Sequence, residues 1–99
     1  MKNARRNVGD SASRLAKTLG KEFGGCWKKD KSGNLKAKVG CWNVDYNPTY
    51  GGAMITEVVN VGGGITSPFG FKRRKPEDFI DSVNMAITAI EIDRKQRKR

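Results

Sequence analysis

The chain has 99 residues, 36% of them hydrophobic, enough for one domain with a modest core. Twenty Lys and Arg against ten Asp and Glu give a net charge of +10 at pH 7, which favours phosphate-bearing partners or anionic surfaces. There is no His, which removes the commonest general base, and no stretch approaches the roughly 20 apolar residues of a membrane span.

Residues 1–9 read as a basic tail carrying Lys2, Arg5 and Arg6. No apolar segment follows these charges, so no secretory signal is read and a cytoplasmic location is expected; a transit peptide is a lesser option. Leu15, Leu19 and Phe23 recur every four residues beside Ala12 and Ala16, and this spacing predicts a helix over 11–22. Asp10 or Ser11 would cap it, and Gly24-Gly25 would end it.

Next comes a stretch with a Cys-Trp pair at each end, Cys26-Trp27 and Cys41-Trp42, around the turn signal Ser32-Gly33-Asn34. With Gly33-Asn34 as a two-residue loop, strands near 25–30 and 35–44 pair so that Cys26 faces Cys41 and Trp27 faces Gly40. Side chains alternate along a strand. Leu35, Ala37, Val39 and Cys41 then share an apolar face with Cys26, while Trp27, Lys29, Lys31, Lys36, Lys38 and Trp42 share a basic, aromatic one. Lys28 falls on the apolar side in this register. A four- or five-residue loop around 30–34 is the alternative, and a one-residue slip would invert a strand's faces. Two Cys without His do not close a four-ligand zinc site. The pairing brings the sulfurs within disulfide reach, but a cytosolic setting makes buried free thiols the expected state.

Pro48 and Gly51-Gly52 mark residues 45–52 as a loop whose two tyrosines cover the core edge or stack on a partner. Residues 54–61 are rich in β-branched residues and read as a third strand. Gly62-Gly63-Gly64 is a break; such a run can offer amides to a phosphate but is more often a flexible turn. Ile65-Thr66-Ser67 is a short fourth strand, stopped by Pro68. Lys72, Arg73, Arg74 and Lys75 are consecutive, and Pro76 then opens a helix over 76–93 with Glu77 and Asp78 at its positive end. Its apolar stripe is Phe79, Ile80, Val83, Ala86, Ile87 and Ile90, and residues 94–99 form a second basic tail.

The expected architecture is α+β: a short N-terminal helix, an antiparallel sheet of three to four strands, and a long C-terminal helix packed on one sheet face. The domain proper spans 10–93. The helix–three strands–helix order is similar to that of double-stranded-RNA-binding domains, whose lysine-rich signature lies at the start of the last helix, near residues 72–75 here. The sheet followed by one long helix also resembles the transcription-cofactor-type single-strand binders. Both likenesses are of topology, and neither transfers residues.

These features point to a small basic protein that binds nucleic acid, with single strands favoured. Trp27 and Trp42 would stack bases, Lys29, Lys31, Lys36 and Lys38 would flank the strand, and Lys72, Arg73, Arg74, Lys75, Arg94, Lys95, Arg97 and Lys98 would hold phosphates. No catalytic constellation, metal site or cofactor motif is read, so an enzyme is not expected. Alternatives are a module that binds an acidic protein surface and an RNA-binding component of a ribonucleoprotein. The apolar stripe of the last helix also offers a homodimer interface.

Overall fold

The computed structural model describes residues 3–98; Lys2 and Arg99, at the outer ends of two basic runs, lie outside the described residues. Its elements are α1 (Ala4–Thr18), β1 (Trp27–Lys29), β2 (Leu35–Ala37), β3 (Trp42–Asn47), a 3-10 turn (Pro48–Tyr50), β4 (Gly52–Val58), β5 (Ile65–Thr66) and α2 (Pro76–Arg97). This is the expected α+β order. The strands divide between two sheets, β1-β2 and β3-β4-β5, all antiparallel.

Helix α1 begins seven residues earlier than the sequence pattern places it, so residues 4–9 are helix and not tail. The reason is Val8, which extends the apolar spacing back from Ala12 and Leu15 and is fully buried. The helix stops at Thr18 because Gly20 turns the chain with φ 73°, while the Leu19 amide donates to the Leu15 and Ala16 carbonyls. Phe23 therefore lies outside the helix and forms a bridge to Trp42.

Gly40 explains the two sheets. At φ 87° it breaks what the alternation suggests is one strand over 35–44. Its amide donates to the Val58 carbonyl, and the chain crosses so that Trp42 pairs with Glu57 on β4. The β3–β4 connection is held by Asn47, whose Oδ1 accepts from the Thr49 amide.

Both helices pack on one face of the three-stranded sheet and on each other. Val8, Ala12, Leu15, Trp42, Ala53, Ile55, Phe79, Val83 and Ile87 make the main core. Helix α2 starts at Pro76, as expected, but runs to Arg97, so residues 94–97 are helical and not a tail. No Gly or Pro interrupts them, Asp93 pairs with Arg97 at 2.9 Å one turn on, and Arg94 donates to the Thr18 carbonyl at the end of α1. A cation there also suits the negative end of the α1 dipole.

A second cluster, Cys26, Ala37, Cys41 and Val58, ties the two-stranded sheet to β4. Cys26 and Cys41 are joined by a disulfide, with α-carbons 5.6 Å apart, and not held as thiols. Proximity decides this, since the turn at Gly40 folds Cys41 back beside Cys26 despite the changed register. The cytosolic argument for thiols thus loses its footing, because disulfides are rare in that compartment. With a sequence separation of 15, the cross-link is worth about 3 kcal/mol on the loop-closure account. Reductant should lower the urea midpoint of the wild-type protein accordingly and leave a Cys26→Ala, Cys41→Ala variant unmoved; equal midpoints with and without reductant would show the bond contributes nothing.

Candidate nucleic-acid interface

The two-tryptophan platform does not form. Trp27 pairs with Ala37, Lys28 with Lys36 and Lys29 with Leu35, a register slipped by three residues from the one that places Trp27 opposite Gly40. An odd slip inverts one strand's faces. Trp27 and Lys29 now share a face with Leu35 and Ala37, and Lys28 shares the other with Lys36. The turn at residues 30–34 causes the slip. The Asp30 side chain accepts from the Ser32 and Asn34 amides, Gly33 donates back to the Asp30 carbonyl, and Gly33 takes φ 83°. This is a three-residue loop closed by a glycine bulge. Lys31 lies in the turn, and Lys36 and Lys38 form ion pairs with Asp30 (3.6 Å) and Glu22 (3.2 Å).

Trp42 is 3% exposed and sits at the centre of the core, so it has no face for a base. Alternation in β3 turns it, with Val44 and Tyr46, toward the helices. Its indole meets the Phe69 ring edge-on, with centroids 5.7 Å apart. Trp27 is 52% exposed, and one edge of its ring lies over Gly63, where a Cβ would stand 2.6 Å from two ring carbons. The glycine run is therefore a tight turn beneath an indole. The Gly64 amide is taken by Asn60 Oδ1, and the Gly63 amide by the Asn60 carbonyl.

Residues 72–75 form an ordered strap along the edge of β4. Arg74 exchanges both backbone hydrogen bonds with Ala53, at 2.8 and 2.9 Å. Arg73 turns inward: its Nη1 donates to the carbonyl oxygens of Asp45 and Gly52 and to Asp45 Oδ1, and its Nη2 donates to Asp45 Oδ2 at 2.9 Å. Hydrogen bonding to Asp45, aided by that carboxylate's charge and opposed by desolvation, raises the guanidinium pKa above its ordinary value. Arg73 is thus a fastener and not a free phosphate contact. Its neighbours Lys72, Arg74 and Lys75 are exposed.

Two exposed aromatics lie next to this strap: Phe71, to which the sequence pattern assigns no role, and Tyr50, one of the two loop tyrosines expected to cover the core edge or stack on a partner. Phe71 precedes it and is 67% exposed. Tyr50, 73% exposed, precedes Gly51, where an added Cβ would stand 3.7 Å from the Arg73 Cβ. The signal for Phe71 was its place directly before the basic run in Phe69-Gly70-Phe71-Lys72. At the far end of the molecule Arg94 and Arg97 have the partners described above, while Lys95 and Lys98 are exposed on the last turn of α2 and beyond it. The apolar stripe of α2, offered by the sequence as a dimer interface, lies in or against the core, with Phe79, Val83 and Ile87 buried and Ile80, Ala86 and Ile90 packed beside them; Met85 and Ile92 stay exposed.

Compared with known protein families, with curated proteins and with solved structures, the chain matches none. Among the described residues, no helix is long and apolar enough to cross a membrane. The fold and site together define a small basic α+β domain with a fixed cationic strap edged by exposed aromatic rings.

Proposed function

We propose that this protein is a non-catalytic nucleic-acid-binding domain that favours single strands, with the strap at 72–75 as the centre of its interface. The observation that carries the reading is the fixing of the strap. Arg73 and the Arg74 backbone are bound to the sheet, so Lys72, Arg74 and Lys75 are presented outward from rigid backbone, next to Phe71 and Tyr50. Cations held in place lose less side-chain and backbone freedom on meeting phosphates than the same cations on a loose tail. Exposed rings add stacking at about 1–3 kcal/mol per base, and unstacked strands are what present bases to them. Trp27 with Lys29 on its face makes a secondary contact of the same kind.

A labelled oligonucleotide titrated at low and moderate salt tests this. Single strands are expected to bind more tightly than the matching duplex, and a Tyr50→Ala, Phe71→Ala variant to lose that preference while keeping salt-sensitive binding. No binding of either form at low salt would remove the reading and leave an acidic protein surface as the partner to seek.

A further inference from the structure

Beside the strap lies a slot that the interface described so far does not use. The buried Leu15, Ile55, Phe79 and Val83 line it, with Phe69 and Ala86. Its free volume is about 120 Å³, and its lining is mostly apolar. Lys72 and Arg74 stand on its rim and also line the adjoining groove between the strap and α2. A group seated in the slot would therefore leave it directly onto the exposed cations.

We propose that this slot takes one unstacked base, a pyrimidine in preference to a purine, from the strand whose phosphates lie on Lys72 and Arg74. The inference rests on the nucleic-acid reading above and names the subsite of that interface. Size sets the preference. An apolar cavity of about 150 Å³ accommodates a benzene ring, so about 120 Å³ with an open mouth suits one six-membered ring. A fused purine would have to displace Phe69, whose ring is packed on Trp42. The slot offers little to read a base by hydrogen bonding. The Gly70 amide donates to the Ser67 carbonyl, and the Gly70 carbonyl accepts from Ser67 Oγ. Ser82 is the hydroxyl at the mouth. Selection is thus by ring size and not by base edge. Charge orients the ligand: Asp78 and Asp81 line the α2 side of the adjoining groove, so a phosphate is kept up on Lys72, Arg74 and Lys75 and out of the groove's depth.

The test uses oligomers of abasic sugar-phosphate that carry a single thymine, a single adenine or no base. The wild-type protein should bind the thymine oligomer about tenfold more tightly than the baseless one, with adenine between them. Ala86→Leu fills the slot and should remove the advantage of the thymine oligomer over the adenine one, with the baseless affinity unchanged. Ser82→Leu at the exposed mouth gives the same block if Ala86→Leu fails to fold. In a Trp27→Phe background, Trp42 emission should shift with thymine and not with the baseless oligomer, because Phe69 links slot and indole. Equal binding of all three oligomers, an adenine advantage, or a thymine advantage that survives the blocked slot would each overturn the slot while leaving phosphate binding in place. Failure of every oligomer to bind at low salt would overturn the nucleic-acid reading itself.

Discussion

Gly52→Ala is expected to destabilise the domain by about 3–5 kcal/mol, the summed order of two lost backbone hydrogen bonds and a strained backbone. Gly52 has φ 121°, and a Cβ there would stand 2.0 Å from the Arg74 carbonyl oxygen and 2.7 Å from its carbon. Both are backbone atoms of the strap and cannot swing aside as a flexible side chain would. Relief requires the strap to withdraw, which breaks the paired hydrogen bonds between Ala53 and Arg74 and draws Arg73 away from Asp45. Gly33→Ala is the control. Its φ of 83° is also unfavourable, but nothing lies within 4 Å of the added carbon, so only a backbone cost of about 1–2 kcal/mol is expected. Urea denaturation of the two variants checks this. Equal midpoints would mean that the approach of strap to sheet is not a constraint on the fold.

Trp42→Ala has an effect of similar size for a different reason. Emptying a buried indole site costs about 3–5 kcal/mol, a large share of the about 5–15 kcal/mol that holds a typical domain. The variant should be strongly destabilised, with its urea midpoint lowered in proportion. Trp27→Ala removes a ring that is half in solvent, so the fold should persist with oligonucleotide affinity modestly reduced. A Trp42→Ala protein that kept wild-type stability and lost affinity would reverse these assignments and restore Trp42 as a stacking surface.

The two tryptophans show how far local pattern carries. The existence and type of most elements are legible: Pro76 with Glu77 and Asp78 opens α2 as expected, and the β-branched run becomes β4. Chain direction across the sheets is less so. Alternation from Leu35 to Trp42 continues unbroken through the turn at Gly40, so period alone reads one strand where the structure has two. The hairpin register depended on Asp30, whose side chain competes for the Ser32 and Asn34 amides and sets a three-residue loop in place of a two-residue one. That single local choice moved Trp27 and Lys29 together off the face that carries Lys36.

The basic runs divide in a way that sequence does not reveal. Arg73 and Arg94 look like their neighbours, yet each is claimed by a distant partner, Asp45 and the Thr18 carbonyl. Only the fold brings those acceptors within reach. What remains outward, Lys72, Arg74 and Lys75 on fixed backbone, is a smaller and more ordered cationic surface than four consecutive charges suggest. Tyr50 gains a place in it from the approach of the Tyr50–Gly51 turn to Arg73, and Phe71 from directly preceding Lys72.

The salt dependence of single-strand binding tests the strap most directly, as the slope of log K against log salt for wild type and for a Lys72→Ala, Arg74→Ala, Lys75→Ala variant. Loss of three phosphate contacts should flatten the slope by about 2, since each contact contributes about 0.7 on single strands. A control with Lys28, Lys36 and Lys38 changed to Ala should keep nearly the full slope. An unchanged slope in the strap variant, or an equal loss in the control, would contradict the account and show that binding follows net charge wherever it lies.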